Sequence, residues 1–231
     1  MANERFDREA ATWDSKPFTV ANSRKAFGAL LEYVPRLQSD GKALDVLEIG
    51  CGTGLLSLLV APYVHSLTAV DTSTGMIEAL KAKLAVNPGI SNIMPVQVLL
   101  EHPDEPLIQN PAVVGESPKR FDLIISHLVL HHIPSLEQVL KTMYGCLKPG
   151  GQVALTDFEN FGPEAKKFHE QSKMEGVERH GIARQEMEKL MVGASFVNVR
   201  VEEAFRVDKP VESGGSMEFP FVICLGTKGH D

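Results

Sequence analysis

Two hydrophobic periods alternate along the first two thirds of the chain. Short apolar runs of strand length cover residues 44–49, 66–70, 93–99, 121–126 and 151–157. Between several of these runs, apolar residues recur at the spacing of one helix face, over 54–61, 74–86 and 135–146. Because strands that alternate with helices pair in parallel and are covered on both faces, this pattern predicts a doubly wound, mostly parallel α/β sheet.

The two ends of the chain add further elements. Those predicted are a helix over 4–13, a helix from Pro17 to about Pro35, a helix over 183–192, and strands near 196–205 and 218–226, with a flexible loop over 208–216 between the two strands. These last strands bring the expected sheet to seven. Residues 101–119, with four prolines, are predicted as a long connection with one helical turn near 107–109.

The length of 231 residues fits a single domain. Its expected parts are an N-terminal helical cap (1–40), a core (41–157), a polar segment (158–182) and a C-terminal helix with strands (183–231).

Composition and charge narrow the function classes. The net charge of −7, with no cluster of Lys or Arg, argues against a nucleic-acid or anionic-membrane partner. The chain has no apolar run long enough to span a membrane and no apolar leader at its start. Three widely spaced cysteines show neither disulfide nor zinc spacing, so no metal site is expected. A cytoplasmic location is therefore expected, with the nucleus also open.

A glycine-rich turn joins the first predicted strand to the next helix. Gly50, Gly52 and Gly54 occupy alternate positions there, directly after the apolar strand. Glycine allows tight backbone angles and close approach of a ligand, and the following helix offers free N–H groups. The turn is therefore suited to hold a small polar ligand against the backbone.

The second predicted strand ends on an acid, Asp71. In a doubly wound sheet, an acid at this position can accept hydrogen bonds from both hydroxyls of a ribose. Together with the glycine turn, Asp71 indicates a ligand that contains a nucleoside.

Four motifs resemble those of the class I S-adenosylmethionine (SAM) dependent methyltransferases. They are E-x-G-x-G-x-G from Glu48 to Gly54, the acid at Asp71, F-D-L-I…L-H-H-I over 121–133, and L-K-P-G-G over 147–151. The likeness is strong over about residues 40–160 and is closest to the small-molecule branch that includes the ubiquinone and menaquinone C-methyltransferases. Residues 6–14 also resemble the opening segment of that branch. The resemblance implies a Rossmann-like fold, SAM as cofactor and S-adenosylhomocysteine (SAH) as product.

The resemblance also implies roles for individual residues. Those expected to bind the cofactor are Gly50, Cys51 and Gly52, with Gly54 completing the turn, at the methionine part; Glu48 at its ammonium; Asp71 at the ribose; Thr72, Met76, Leu100 and Glu101 around the adenine; Ser126 and His127 near the sulfonium; and Trp13 as a cap. Many relatives place Asp where this chain has Leu100 and Glu101. The polar segment 158–182 is a candidate lid over the acceptor.

Methyl transfer from a sulfonium is an in-line displacement that mainly requires alignment and exclusion of water. A general base is needed only for some acceptors, and His127 is the candidate. For His131 and His132, shaping of the loop is favoured over catalysis. The acceptor is expected to be a small molecule methylated at O, N, C or S. Two alternatives stay open: a catalytically silent methyltransferase-fold regulatory or binding subunit, and an NAD(P)-dependent oxidoreductase, which Leu55 in place of the third glycine of a dinucleotide fingerprint opposes.

Overall fold

The computed structural model describes residues 2–109, 118–212 and 214–230, with side chains from Glu4 onward. One seven-stranded sheet has the order β3-β2-β1-β4-β5-β7-β6. Its strands are β1 (Asp45–Ile49), β2 (Ser66–Asp71), β3 (Ile93–Gln97), β4 (Phe121–His127), β5 (Leu147–Phe158), β6 (Val197–Pro210) and β7 (Ser216–Thr227). The first five strands pair in parallel, and β7 runs antiparallel to both β5 and β6. This topology confirms the predicted fold class.

Seven helices belong to the described part of the chain. They are α1 (Ala2–Trp13), α2 (Pro17–Tyr33), α3 (Arg36–Ser39), α4 (Leu55–Val60), α5 (Thr74–Ala85), α6 (Leu136–Cys146) and α7 (Arg184–Gly193). Side-chain caps begin two of them, because Ser73 Oγ accepts from Met76 N–H and Ser135 Oγ accepts from Gln138 N–H. None of the described helices is long and apolar enough to cross a bilayer.

The helices cover both faces of the sheet. Val46 and Leu47 are neighbours on β1, yet each belongs to a different buried cluster, because successive strand residues point to opposite faces. One cluster includes Leu140 of α6 and Met187 of α7, and the other includes Leu80 of α5. The sheet is therefore buried on both sides, as its apolar strands require.

The C-terminal strands are longer than their hydrophobic pattern predicts. Cross-strand pairing continues through Asp208–Glu218 and Lys209–Met217 to Pro210–Ser216, so the loop predicted over 208–216 is a shorter turn. Hydrophobic periodicity does not predict this extension, because the ends of β6 and β7 are polar. They are held together by backbone pairing between the two strands and not by burial of apolar side chains. Part of the predicted 101–119 connection, residues 110–117, lies outside the described residues, and a helical turn forms at Pro106–Ile108.

Residues 158–182 pack against this long hairpin. The segment contains two short 3₁₀ helices, Pro163–Phe168 and Gln171–Lys173. Phe168 is buried, stacks on Phe158 at 4.0 Å between ring centroids, and lies in one cluster with Phe219 and Phe221 of β7. The segment thus has an apolar anchor, which its polar composition does not reveal.

Candidate functional site

A cavity of about 730 Å³ opens at the carboxyl ends of β1, β2 and β4. This is the edge of a doubly wound sheet where ligands bind. The rest of the wall comes from the end of β3 with the loop after it, and from helices α1, α2, α4, α5 and α6. The predicted site residues that line it are Trp13, Glu48, Gly50, Cys51, Gly52, Asp71, Thr72, Met76, Leu100, Glu101 and His127. Gly54 and Ser126 do not line it.

The glycine turn forms the floor of the cavity. Gly50 and Gly52 have φ of +72° and +54°, which favour glycine over other residues. The N–H groups of Gly50 and Cys51 both donate to Val70 O, at 2.8 and 3.0 Å, which ties the turn to β2. A Cβ on Gly50 would lie 2.2 Å from Val129 Cγ2, so the close approach of the β4 loop also requires glycine there.

Gly54 has a structural place instead of one on the cavity wall. Its φ is +83°, and a Cβ would lie 2.4 Å from Leu80 Cδ1 of α5. The residue begins α4 and lets α5 pack against the turn. The motif therefore contains two glycines that approach the cavity and one that faces the core.

Asp71 joins the glycine turn to the start of α5. Its Oδ2 accepts from Gly52 N–H at 2.8 Å, and its Oδ1 accepts from Ser73 N–H at 2.9 Å. Burial raises the pKa of Asp71, while these backbone hydrogen bonds act in the opposite direction. The carboxyl group is therefore oriented by the backbone at the rim of the cavity.

Glu48 lies beneath the turn and is only 2% exposed. Its Oε2 accepts from Ser57 Oγ at 2.5 Å. Burial raises the pKa of Glu48 to about 8, and the nearby charge of Asp71 adds to this shift. At neutral pH the carboxyl is mostly protonated, and a cation beside it would favour its ionised form.

The end of β4 places Ser126 and His127 in different environments. Ser126 is buried, and its hydroxyl donates to Ile49 O at 2.8 Å, which holds β4 to β1. His127 lines the cavity, and its Nδ1 lies 2.9 Å from Thr156 Oγ1. The hydroxyl of Thr156 can donate its proton to Ser126 O, at 3.3 Å. Thr156 Oγ1 is then free to accept a hydrogen bond from the Nδ1–H group of His127. This arrangement leaves His127 Nε2 without a proton.

Burial also determines the charge of His127. It lowers the pKa of the ring to about 4, so the imidazole is neutral across the physiological range. Nε2 is buried and has no partner among the described residues. His127 is therefore a weak base, and its unprotonated Nε2 is an unsatisfied hydrogen-bond acceptor within the described part of the chain.

The N-terminal segment closes one side of the cavity. Asp7 Oδ1 accepts from Ser73 Oγ at 2.6 Å and from Gly75 N–H at 2.8 Å, which fastens α1 to α5. Asp14 accepts from Thr53 Oγ1 at 2.5 Å, next to the glycine turn. Phe6 and Trp13 consequently line the cavity.

Several wall residues were not predicted from the sequence. Ser135, Gln138 and Thr142 line the cavity from the start of α6, at positions i, i+3 and i+7 of one helix face. Such a polar stripe at helical spacing is the signal that could have indicated them. Thr19 and Ser23 of α2 add two more hydroxyls, and no local pattern distinguishes them.

The two histidines of the L-H-H-I motif lie in different environments. His132 lines the cavity and its Nδ1 lies 2.6 Å from Gly176 O, while His131 is buried beside Asp157. Within the described chain, no residue of 158–182 lines the cavity. The segment approaches the cavity through its contact with His132.

Comparison with known proteins agrees with this geometry. A family model described as a methyltransferase domain matches residues 21–201. A malonyl-[acyl-carrier protein] O-methyltransferase from Priestia megaterium is 29% identical over 162 residues, which are 69% of this chain and 52% of that protein. A lovastatin nonaketide synthase component from Aspergillus terreus is 31% identical over 140 residues, 57% of this chain and 4% of that protein. The chain thus spans about half, or far less, of these relatives.

Solved structures share the fold at low sequence identity. A SAM-dependent methyltransferase from Thermotoga maritima has a TM-score of 0.64 at 20% identity, covering 99% of this chain and 100% of that one. Magnesium protoporphyrin IX methyltransferase from Synechocystis, with bound SAH, has a TM-score of 0.64 at 14% identity, covering 92% and 85%. The likeness to the quinone C-methyltransferase branch stays a prediction. Because the family model spans most of the chain and the fold agrees, the chain belongs to the class I SAM-dependent methyltransferase family.

Proposed function

We propose that the protein binds SAM in the cavity at the carboxyl edge of the sheet and transfers its methyl group to a small-molecule acceptor. The observation that carries this proposal is the convergence of the glycine turn, Glu48 and Asp71 on one cavity. Its volume, about 730 Å³, lies within the roughly 300–1,000 Å³ usual for small-molecule sites.

Each part of the cavity suits one part of the cofactor. Asp71, oriented by two backbone N–H groups, would accept hydrogen bonds from the ribose hydroxyls. Glu48 would ionise beside the ammonium of the methionine part, and Gly50, Cys51 and Gly52 would line that part of the cavity. The residues proposed around the adenine are Thr72, Met76, Leu100 and Glu101.

The bound sulfonium supplies an activated methyl group, so the protein has to align the acceptor and exclude water. Phe6 and Trp13 cover the cavity from α1 and serve the second purpose. His127 serves the first, because a neutral ring with an unprotonated Nε2 can hold an acceptor O–H or N–H. With a pKa of about 4, His127 is too weak a base to remove a proton efficiently near neutral pH.

The acceptor would enter on the side formed by His127, His132 and the hydroxyls of Thr19 and Ser23. This wall is partly polar and enclosed, which favours a small molecule. A lid function for 158–182 stays a prediction, since closure would require the segment to move toward the cavity.

Calorimetric titration with SAH, with NAD as control, tests cofactor binding. We expect micromolar affinity for SAH and none for NAD. Asp71→Asn should weaken SAH binding by about 10- to 100-fold, equivalent to roughly 1–3 kcal/mol, because the ribose hydroxyls lose a charged acceptor. The matched control is Asp208→Asn on the exposed part of β6, which should leave the affinity unchanged.

Failure of SAH to bind folded protein would refute the proposal, and wild-type affinity in Asp71→Asn would refute the ribose assignment. Transfer of label from SAM to small-molecule acceptors then separates the enzyme from a binding subunit. Tight SAH binding without turnover on any acceptor class would favour the regulatory alternative.

A further inference from the structure

Three histidines from two distant parts of the chain meet beside the cavity. His131 and His132 follow β4, and His169 belongs to the 158–182 segment. One ring nitrogen from each residue lies within 4.8 Å of those of the other two. The ring centroids of His131 and His132 are 4.0 Å apart, and His169 lies 4.9 and 5.9 Å from them. The fold thus gathers three imidazoles that the sequence separates by almost forty positions.

Asp157 orients the first of these rings. Its two carboxylate oxygens lie 2.8 and 2.9 Å from His131 Nδ1, and the carboxylate also accepts from the N–H groups of His131 and Phe158. Asp157 is fully buried. A carboxylate on one ring nitrogen holds the proton there and leaves Nε2 as a donor of electrons to a metal, the usual outer-shell arrangement of metal-binding histidines.

The second and third rings are prepared in a similar way. His132 Nδ1 lies 2.6 Å from Gly176 O, which can only accept, so Nδ1 carries the proton and Nε2 is bare. His169 Nδ1 is buried and has no hydrogen-bond partner among the described residues. Such a buried, unpartnered nitrogen in a cluster of imidazoles lacks a ligand that a metal ion would supply.

Two cationic side chains near the three histidines, Arg5 and Lys209, have hydrogen-bond partners outside the cluster. Arg5 donates to Lys173 O at 2.5 Å, and Lys209 donates to Phe168 O at 2.5 Å. Neither side chain is therefore needed as a partner of the three rings.

We propose that His131, His132 and His169 form a binding site for a divalent transition-metal ion of the zinc type. Neutral imidazole nitrogens suit zinc, copper, nickel and cobalt, whereas magnesium and calcium prefer oxygen ligands. Ligands of a tetrahedral zinc ion, about 2.0–2.1 Å from the metal, lie roughly 3.4 Å from one another, so nitrogens that lie within 4.8 Å would approach one another by up to about 1.4 Å on binding. Three protein ligands leave a fourth position open.

The site would add a metal link between two parts of the molecule that already meet through aromatic packing and through hydrogen bonds, such as that from Glu178 N–H to His131 O. A bound ion would fasten the 158–182 segment, through His169, to the loop after β4. His132 is both a ligand of the ion and part of the cavity wall. Metal binding would thereby fix the position of the segment beside the acceptor side of the cavity.

Direct metal binding tests the proposal. Untagged protein is stripped with a chelator, desalted, and titrated with zinc by competition calorimetry and with cobalt by visible absorption. We expect one zinc ion per chain, tetrahedral cobalt bands, and no binding of magnesium. His132→Gln and His169→Gln should each weaken zinc binding at least 10-fold. His180→Gln, in the same segment but outside the cluster, should not change it.

A second measurement reports on the segment. Zinc should slow proteolytic cleavage within 158–182 in the wild type and in His180→Gln, but not in His169→Gln. Circular dichroism shows whether each variant is folded. Failure of folded wild type to bind zinc, or equal binding by the His132→Gln/His169→Gln double variant, would overturn the site and leave an aromatic cluster of structural role. Neither readout requires methyl transfer, so this outcome is independent of the proposed function.

Discussion

Glu48 illustrates how much a single residue depends on its surroundings. The sequence places an acid two positions before the first glycine of the turn, and this position predicts proximity to the cofactor. The structure adds that the carboxyl group is 2% exposed and that burial raises its pKa to about 8. The residue is thus uncharged in the free protein near neutral pH and can gain charge when a cation binds.

Binding of SAH should therefore release a proton. At about pH 6.5 the α-amino group of SAH is a protonated ammonium, since it titrates above neutral pH, and Glu48 is protonated as well. An ammonium beside Glu48 lowers its pKa in the complex, so we expect release of about 0.5–1 proton and an affinity that rises with pH up to about 8. Calorimetry in two buffers with different ionisation enthalpies measures this number. In Glu48→Gln the release should disappear, and an equal release in both proteins would contradict the assignment.

For His127, too, the surroundings determine the charge of the side chain. Its position at the end of β4 was predictable, and the cavity includes it. Burial and the bond to Thr156 determine a neutral ring with a low pKa, which favours positioning over base catalysis. The motif predicted the position of His127, whereas its burial and its contact with Thr156 determine its protonation state.

At the scale of elements, the glycine turn separates conformation from ligand contact. Gly54 does not line the cavity, yet its φ of +83° and the closeness of Leu80 require glycine. Gly28 is its counterpart in α2, where it is exposed and a Cβ would meet nothing within 4 Å. The two positions should respond to alanine with opposite signs.

Gly54→Ala should lower the free energy of unfolding by about 1–3 kcal/mol, because a left-handed backbone and a crowded core both oppose a Cβ. Gly28→Ala should raise it by about 0.5–1 kcal/mol, since alanine is the better helix former. Urea denaturation followed by circular dichroism gives both values. Destabilisation by both substitutions to the same extent would show that the conformation of the turn is not the cause.

The β6–β7 hairpin shows where periodicity fails to define an element. Its outer part is held by backbone pairing between polar residues, such as Asp208 with Glu218. A hydrophobic pattern measures burial and cannot detect such pairing. The additional length matters because Val207, beyond the predicted end of β6, pairs with Phe219 and lies in one buried cluster with Phe168.

At the scale of the whole molecule, residues 158–182 form a packed layer on the hairpin. Phe168 stacks on Phe158 and lies 5.2 Å from Phe219 between ring centroids. Ile182 N–H donates to Phe158 O at 2.9 Å and closes the segment at its other end. Opening of the segment would therefore cost the burial of an aromatic side chain.

Phe168→Ala should accelerate hydrogen exchange across 158–182 and lower the free energy of unfolding by about 2–4 kcal/mol, because the stacked ring is lost from a buried cluster. Phe161→Ala is the control, since Phe161 is 39% exposed in the same segment. Mass-spectrometric hydrogen exchange measures both. Exchange in 158–182 that does not change in Phe168→Ala would mean that the cluster does not hold the segment.

The sequence by itself determined the succession of strands and helices along the chain, because this depends on local hydrophobic periodicity. It also determined the glycine turn and the acid at Asp71 that follows the second strand, because the turn needs backbone angles that few residues adopt. It also placed eleven of the predicted site residues on the cavity wall, since parallel strands bring their carboxyl ends to one edge. Only the tertiary structure decided that Ser126 bonds Ile49 and that Gly54 faces the core. It alone brought His169 to the histidines after β4 and set the charge states of Glu48 and His127. Contacts between distant residues, and the burial they produce, leave no periodic trace along the chain.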